Sequence, residues 1–410
     1  MCCEGFSYLL MSAFIDNDYA PCQKHSMHPQ STSHRIFFDD AHTMEAVQDR
    51  SIQLVVTSPP YPMIEMWDAQ FSGCNDAIAR ALSGSDFNQA FERMHQYLDG
   101  VWEEVHRVLQ PGGIACINIG DATRTIDSNF RLFANHARII QWFHSKGFCQ
   151  LPTILWRKTT NAPNKFMGSG MLPPGAYVTL EHEYLLIFRK GEKREFPDAS
   201  QKEARRRSAY FWEERNLWFS DVWMGLPGTV QELRNLQTRL RSGSFPLELP
   251  YRLINMFSVQ GDTILDPFAG TGTTLLAAMC AGRNSLGYEI DSTLHGVLLG
   301  RISSLPEIAR RLVEDRLAAH RTFVMDRQAS GAELKYQNHF HLFPVMTRQE
   351  VDLRIDAVSS VQYLSDQLFQ VGYEDQTASN SATPYAGPRE ADASVSPAPR
   401  PGRGRQLKLF

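Results

Sequence analysis

The sequence is short of the features that would assign it to several large classes. Its seven cysteines (Cys2, Cys3, Cys22, Cys74, Cys116, Cys149, Cys280) are scattered, and no C-x-x-C pair occurs. Neither a disulfide framework nor a thiolate zinc site is suggested, and reduced thiols in a cytoplasmic setting are expected. No apolar run is long enough to span a bilayer, so no membrane association is expected. The apolar patch Phe6–Phe14 lacks a basic flank and follows Glu4, which argues against a secretory signal. Cys22, His25 and His28 lack the remaining ligand that a closed zinc site needs, and they sit in a polar tail, so no metal is expected. Positive charge is not in excess either: the net charge is −4. No internal repeat is present.

What remains is an ordinary globular composition, 43% hydrophobic and 21% charged over 410 residues. That leaves room for a large α/β domain with additions. Residues 1–34 read as a disordered leader. From 35 to 156, short apolar runs alternate with helical periodicity, the pattern of a parallel sheet with helices packed on it. Phe91, Met94, Leu98, Val101, Trp102, Val105 and Leu109 recur at three- and four-residue spacing, one buried face of a helix over about 86–109. A second helix is expected over 129–146. The middle, 157–243, carries 15 Lys/Arg against 10 Asp/Glu and interleaved aromatics, a local +5 on a body that is otherwise −9. A basic middle on an acidic body suits a protein with one polyanion-facing side. One strand stands out there, Glu183–Phe188. The α/β pattern resumes over 244–325, an extension follows at 326–374, and 375–410 is Pro/Ser/Ala/Gly/Arg-rich and expected to be disordered.

Two stretches carry chemistry. The apolar run Leu54-Val55-Val56 leads into Thr57-Ser58-Pro59-Pro60-Tyr61, where two prolines must end the strand. The result is a stiff strand-end loop with a hydroxyl, unpaired carbonyls and an aromatic ring, suited to a flat hydrogen-bonding ligand. In isolation such a loop also describes a plain proline turn. The second stretch, Asp266-Pro267-Phe268-Ala269-Gly270-Thr271-Gly272-Thr273, joins a strand to a helix. Glycines let the backbone turn tightly there, with a helix N-terminus facing the ligand. The dinucleotide fingerprint G-x-G-x-x-G is absent, and no Lys follows the glycines as in a P-loop. Glu289 ends the next strand, where an acid suits the hydroxyls of a ribose. A nucleoside without phosphate is therefore the better ligand, and S-adenosylmethionine fits that description.

Together the two stretches resemble the amino-group DNA methyltransferases, which modify N4 of cytosine or N6 of adenine. Ser58-Pro59-Pro60-Tyr61 matches the family's catalytic motif, and Phe268-Ala269-Gly270-Thr271-Gly272 its cofactor loop. The catalytic motif comes first, as in the permuted β class. The resemblance implies an α/β, Rossmann-like methyltransferase fold with a mostly parallel twisted sheet, circularly permuted motif order and an inserted target recognition region at 157–243. Residues 35–156 would be the catalytic half and 244–325 the cofactor half. It implies catalytic Ser58, Pro59, Pro60 and Tyr61, with the Ser58 hydroxyl and Pro59 carbonyl accepting from the amino group and Tyr61 stacking on a flipped base. It implies S-adenosylmethionine held by Asp40, Thr57, Asp266, Phe268, Ala269, Gly270, Thr271, Gly272, Thr273 and Glu289. Serine at the first motif position favours cytosine N4; adenine N6 is the alternative.

The expected partner is double-stranded DNA, contacted through Lys165, Arg205, Arg206 and Arg207, in a bacterial, archaeal or phage cytoplasm. A cognate restriction endonuclease is a further expected partner. The tail Gln406-Leu407-Lys408-Leu409-Phe410 resembles peptides that dock on the bacterial sliding clamp. A Rossmann-type oxidoreductase is disfavoured by the missing third glycine, and a catalytically silent DNA-binding relative by the intact Ser-Pro-Pro-Tyr.

Overall fold

A computed structural model describes residues 31–126, 129–158, 163–226 and 245–374. The Cys22–His28 stretch and the Gln406–Phe410 peptide lie outside the described residues. In chain order the elements are β1 (Ser31–Phe37), β2 (Ile52–Thr57), α1 (Asp68–Cys74), α2 (Asp76–Ser83), α3 (Phe87–Val108), β3 (Leu109–Ile119), β4 (Ala122–Ile126), β5 (Asn129–Phe133), α4 (Asn135–Ser145), β6 (Phe148–Arg157), β7 (His182–Lys190), α5 (Ala199–Arg207), α6 (Trp212–Trp218) and β8 (Val222–Trp223). Then come α7 (Glu248–Phe257), β9 (Thr263–Asp266), α8 (Thr273–Cys280), β10 (Asn284–Tyr288), α9 (His295–Ser303), α10 (Leu305–Ala329), β11 (Tyr336–Gln337), β12 (Pro344–Val345), β13 (Ala357–Ser365) and β14 (Leu368–Glu374).

Ten strands form one sheet in the order β13-β14-β1-β10-β9-β2-β3-β7-β6-β8. Its centre, β1-β10-β9-β2-β3, is parallel throughout. The strand alternation explains its two covered faces. Leu54 and Val56 of β2 point into one core with Ile264, Leu185 and Leu276, while Val55 points into the other with Leu265, Leu186 and Trp102. A strand buried on both faces reads as an unbroken apolar run, which is what Leu54–Val56 is. Each such side chain contributes about 1.5–3 kcal/mol when fully buried. α3 begins where the Asp86 carboxylate accepts the Gln89 amide at 3.1 Å and lays Met94, Leu98, Val101, Trp102 and Val105 on the sheet.

Two expectations are corrected. Residues 31–34 are strand, not leader: Ser31–Arg35 pair antiparallel with Leu368–Gly372. Residues 129–133 are β5, hairpinned to β4 through pairs such as Ala122↔Phe133, and the helix starts only at Asn135. The C-terminal extension is part of the sheet, since β13 and β14 form its edge beyond β1. Of the stretch 157–243, β7 and β8 also belong to the sheet. Phe211, just before α6, instead packs with Val313, Leu317, Val345 and Leu353 of the later chain, and Trp212 of α6 stacks on Phe323.

Candidate active site

β9 leads through α8 to β10 on one side, whereas β2 leads through α3 to β3 on the other. At such a reversal the loops diverge, and a crevice opens at the carboxyl ends of the strands. The two chemistry-bearing stretches flank it. They touch directly, although 209 residues apart: the Thr57 hydroxyl donates to Asp266 Oδ1 at 2.6 Å. The Phe268 amide donates to the same oxygen at 3.0 Å. Burial pushes the Asp266 carboxyl up to about 6, against the opposing hydrogen bonds from Thr57, Thr274 and the Phe268 amide.

On the β9 side the loop is held by its backbone. The Ala269 amide bonds the Tyr288 carbonyl at 2.8 Å, and Gly272 closes a turn onto Ala269 before α8 begins. Glu289, anchored by its own amide to the Phe37 carbonyl, accepts the Gly270 amide at 2.7 Å and the Asp291 amide at 2.8 Å. Burial raises its carboxyl above the ordinary value, opposed by those two amides. Thr271 and Thr273 are buried and bound by Arg301, whose Nη1 reaches their hydroxyls at 2.7 and 2.8 Å. Burial pulls Arg301 down to about 10, so it stays cationic at neutral pH. Asp40 is hydrogen-bonded to His42 Nδ1 at 2.6 Å, and His42 Nε2 also meets the Tyr97 carbonyl. Asp39, beside it, is exposed and accepts the Asp40 amide.

A nucleoside cofactor fits these residues. Gly270 has φ of +53°, and the space where its side chain would stand is open, with only the Phe268 carbonyl at 4.0 Å. That opening adjoins a carboxylate already aligned by two amides. Arg301, the cation that bonds this loop, is occupied by threonines rather than presented to a phosphate.

The β2 side is made of side chains. Pro59 and Pro60 are buried, and Ser58 is half-buried. The Ser58 hydroxyl donates to Tyr61 Oη at 3.1 Å, and the Tyr61 hydroxyl donates to Glu183 Oε2 at 2.9 Å. Asn118 Nδ2 bridges both, 2.8 Å from Tyr61 Oη and 2.7 Å from Glu183 Oε2. Lys158 forms an ion pair with Glu183 Oε1. Burial, then the Glu183 charge, raises the Tyr61 phenol well above its ordinary value, so the phenol keeps its proton and remains a donor. Asn118 Oδ1 is buried without a donor among the described residues. Tyr61 and Glu183 line a cavity of about 440 Å³, with Lys158, Lys165, Asp121 and His182 around it.

Lys165 thus reaches the cavity, its ammonium fixed on the Thr123 carbonyl at 2.8 Å. Arg205, Arg206 and Arg207 do not. Arg205 lies over the Phe196 ring at 4.9 Å, Arg206 pairs with Asp352 at 3.3 Å, and Arg207 pairs with Glu203 at 2.6 Å. Ser208, next in the chain, takes the Gln260 amide at 2.7 Å, and Gln260 precedes the start of β9. The triplet therefore sits at the far end of the strands from Asp266. Sequence reasoning missed Asn118, Glu183, Lys158 and Arg301. For Asn118 and Glu183 the available signal was a polar residue inside or at the start of a neighbouring apolar strand; Lys158 and Arg301 had none. Among the described residues no cluster of His, Cys, Asp and Glu could hold a metal ion, and no helix is long and apolar enough to cross a membrane.

Comparison with known proteins is consistent with this arrangement. The family model N6_N4_Mtase, described as DNA methylase, matches residues 52–297. The chain is 48% identical over 345 residues to the Type II methyltransferase M.MthZI of Methanothermobacter thermautotrophicus, covering 84% of this chain and 96% of that one. It is 52% identical over 283 residues to the Type II methyltransferase M.MjaI of Methanocaldococcus jannaschii, covering 66% and 92%. Among solved structures, a DNA modification methylase from Thermus thermophilus, complexed with S-adenosyl-L-methionine, superposes with a TM-score of 0.52 at 32% identity, covering 66% of this chain and 94% of that one.

Proposed function

The chain belongs to the N6/N4 DNA methylase family, whose members move a methyl group from S-adenosylmethionine to an exocyclic amino group of DNA, and on that premise we propose that its target is N4 of cytosine, reached by flipping the base out of duplex DNA. The observation that carries this reading is the direction of the hydrogen bonds around Ser58. Its proton is committed to Tyr61 Oη, whose own proton is committed to Glu183. The Ser58 oxygen is left as an acceptor. An exocyclic amine is a poor nucleophile because its lone pair is delocalised into the ring. Hydrogen bonds accepted from its N–H groups draw the nitrogen toward a tetrahedral, more reactive geometry. Ser58 Oγ and the Pro59 carbonyl supply those acceptors. A neutral serine rather than a carboxylate at this position suits the cytosine edge, where O2 and N3 are themselves acceptors.

The other residues bind and orient. Tyr61, held by three polar partners, offers a fixed ring face to the extruded base, which offsets part of the stacking lost on leaving the duplex. Glu183 is a positioning residue: it fixes the direction of the network. Asp40, Thr57, Asp266, Phe268, Ala269, Gly270, Thr271, Gly272, Thr273 and Glu289 hold the cofactor, with Glu289 on its ribose side. When bound, the cofactor supplies an electrophilic methyl on sulfur. The Thr57–Asp266 bond sets the distance between the two halves, so most of the rate enhancement is placement of donor and acceptor. Lys165, beside the cavity, contacts the DNA backbone. Likeness to Type II methyltransferases supports a companion restriction endonuclease reading the same sequence.

The test is methylation of plasmid DNA with labelled cofactor, followed by nucleoside analysis. N4-methylcytosine is expected, and N6-methyladenine in its place would overturn the assignment.

A further inference from the structure

Residues 163–181 run beside the cavity and line it at both ends. Lys165 and Phe166 at one end and Leu180 at the other line the cavity. Between them the chain makes a tight hairpin. The Tyr177 amide bonds the Phe166 carbonyl at 3.1 Å, and the Ser169 amide bonds the Gly175 carbonyl at 3.0 Å. The arms are so close that a Cβ at Gly168 would stand 2.0 Å from the Gly175 oxygen. The turn closes on itself: the Gly170 amide reaches the Met167 carbonyl at 2.7 Å, and the Ser169 hydroxyl bonds the Leu172 carbonyl. Phe130 of β5 pins the base of the hairpin by stacking on Tyr177 at 4.2 Å and meeting Phe166 edge-on at 5.9 Å.

The tip of this braced hairpin is Met171-Leu172-Pro173-Pro174, and all four residues are exposed. Met171 retains 87% of its accessible surface and Leu172 72%. Large apolar side chains held outward on a stiff support mark a contact surface rather than a frayed loop. From Pro163 to Leu180 there is no carboxylate, and Lys165 stands at the base, so the hairpin meets no repulsion from phosphates.

We propose that Met171 and Leu172 form a wedge that enters the DNA base stack beside the target and fills the gap left when the target base moves into the cavity. The proposal rests on the base-flipping reading above. Extruding a base leaves its neighbours and its orphaned partner unstacked. Apolar side chains inserted at a base step are a recurrent way of covering that surface. Here the wedge and the pocket share one support, so insertion of the tip and arrival of the base at Tyr61 are geometrically linked.

The test compares two synthetic duplexes carrying the sequence mapped from methylated plasmid. One is fully paired; in the other the target base faces an abasic site, so no pairing has to be broken. In the full-length protein, Met171→Ser/Leu172→Ser is expected to methylate the paired duplex roughly tenfold more slowly or worse, and the unpaired one at the wild-type rate. The wild type should discriminate little between the two. Cofactor affinity, measured by calorimetry, should be unchanged, which separates a wedge defect from misfolding. Equal rates for variant and wild type on the paired duplex would overturn the wedge, and point to another partner for the tip. An equal deficit on both duplexes would also overturn it, because the tip would then serve plain binding. Absence of methylation by the wild type on either duplex would instead refute the functional reading itself.

Discussion

On the β9 side of the crevice the ligand-facing groups are mostly backbone amides organised by one carboxylate, Glu289. On the β2 side they are side chains from three separate strands and loops: Ser58 and Tyr61 after β2, Asn118 in β3, and Glu183 in β7. On the function proposed above, the difference follows from what each half would have to recognise. A cofactor shared by many enzymes can be held by a loop whose shape is fixed by glycines. A base that must be extruded, oriented and polarised needs donors and acceptors whose direction is set by neighbours. The Thr57 to Asp266 hydrogen bond joins the two halves at the crevice, alongside the β2–β9 ladder and the bond from the Thr274 hydroxyl to the Val56 carbonyl. If they are otherwise independent, substitutions on one side should leave the other side's constant untouched.

The largest effect is expected from Ser58→Ala. Removing a preorganised polar group aimed at the reacting atom lowers kcat on the order of 10²–10³-fold. Labelled-methyl transfer measures the rate, and a calorimetric titration should find cofactor Kd unaltered. A cofactor affinity that falls together with the rate would show that the halves are not separable. Glu289→Gln is the mirror experiment. It keeps one acceptor oxygen but removes the charge that aligns the Gly270 and Asp291 amides, so cofactor Kd should rise roughly tenfold, the scale of a charged hydrogen bond. At saturating cofactor, kcat should stay near the wild-type value. A kcat loss that saturation does not repair would contradict the division.

These halves were unequally legible in the sequence. The β9 side is contiguous: Asp266 to Thr273 is a single run, and Glu289 lies at the end of the next strand. Local residues therefore announced it. The β2 side is assembled by strand order. Asn118 and Glu183 sit on apolar runs that read as strands, but nothing local says that β3 pairs with β7, which brings Asn118 opposite Leu185 and sets Glu183 beside Tyr61. The same reason hid the sheet edge, where Thr32 pairs with Val371 across almost the whole chain. Residues 129–133 misled differently. Phe130 and Phe133 have helical spacing, yet pairing with β4 prevailed and left Phe130 free to brace the hairpin that bears Met171. The arginine triplet at 205–207 was conspicuous as composition, but its side chains engage Phe196, Asp352 and Glu203 at the other end of the strands.

A smaller effect tests whether the β2 network acts as a unit. Glu183→Gln places an amide donor where Tyr61 now finds an acceptor, so the Ser58 hydroxyl can turn its proton toward the target amine. We expect kcat to fall about tenfold, with DNA KM and cofactor Kd unchanged. Tyr61→Phe keeps the ring but removes the acceptor for Ser58, and should fall by a similar factor. Because both break one chain of bonds, the double variant should be little worse than either. Multiplicative losses would mean that Glu183 acts elsewhere, for example only through Lys158.

The bridge itself gives a signal in stability rather than in rate, and one visible without substrate. The Asp266 carboxyl titrates near 6 in the folded protein against about 3.8 for a free carboxyl. The unfolded chain therefore ionises first as pH rises. The stability linked to the protonated form is fully present below about pH 4 and is lost as pH climbs through about 6, a penalty on the order of 3 kcal/mol once both states are ionised. Asparagine cannot ionise, yet its carbonyl oxygen can still accept from Thr57 and Phe268. The stability of Asp266→Asn relative to wild type should therefore rise between about pH 4.5 and about pH 7 in urea unfolding, by up to about 3 kcal/mol. A difference that is flat with pH would mean that the buried carboxylate is compensated by the Thr57 and Thr274 hydroxyls. The bridge would then be as comfortable charged as neutral, and the two halves of the crevice would be joined without strain.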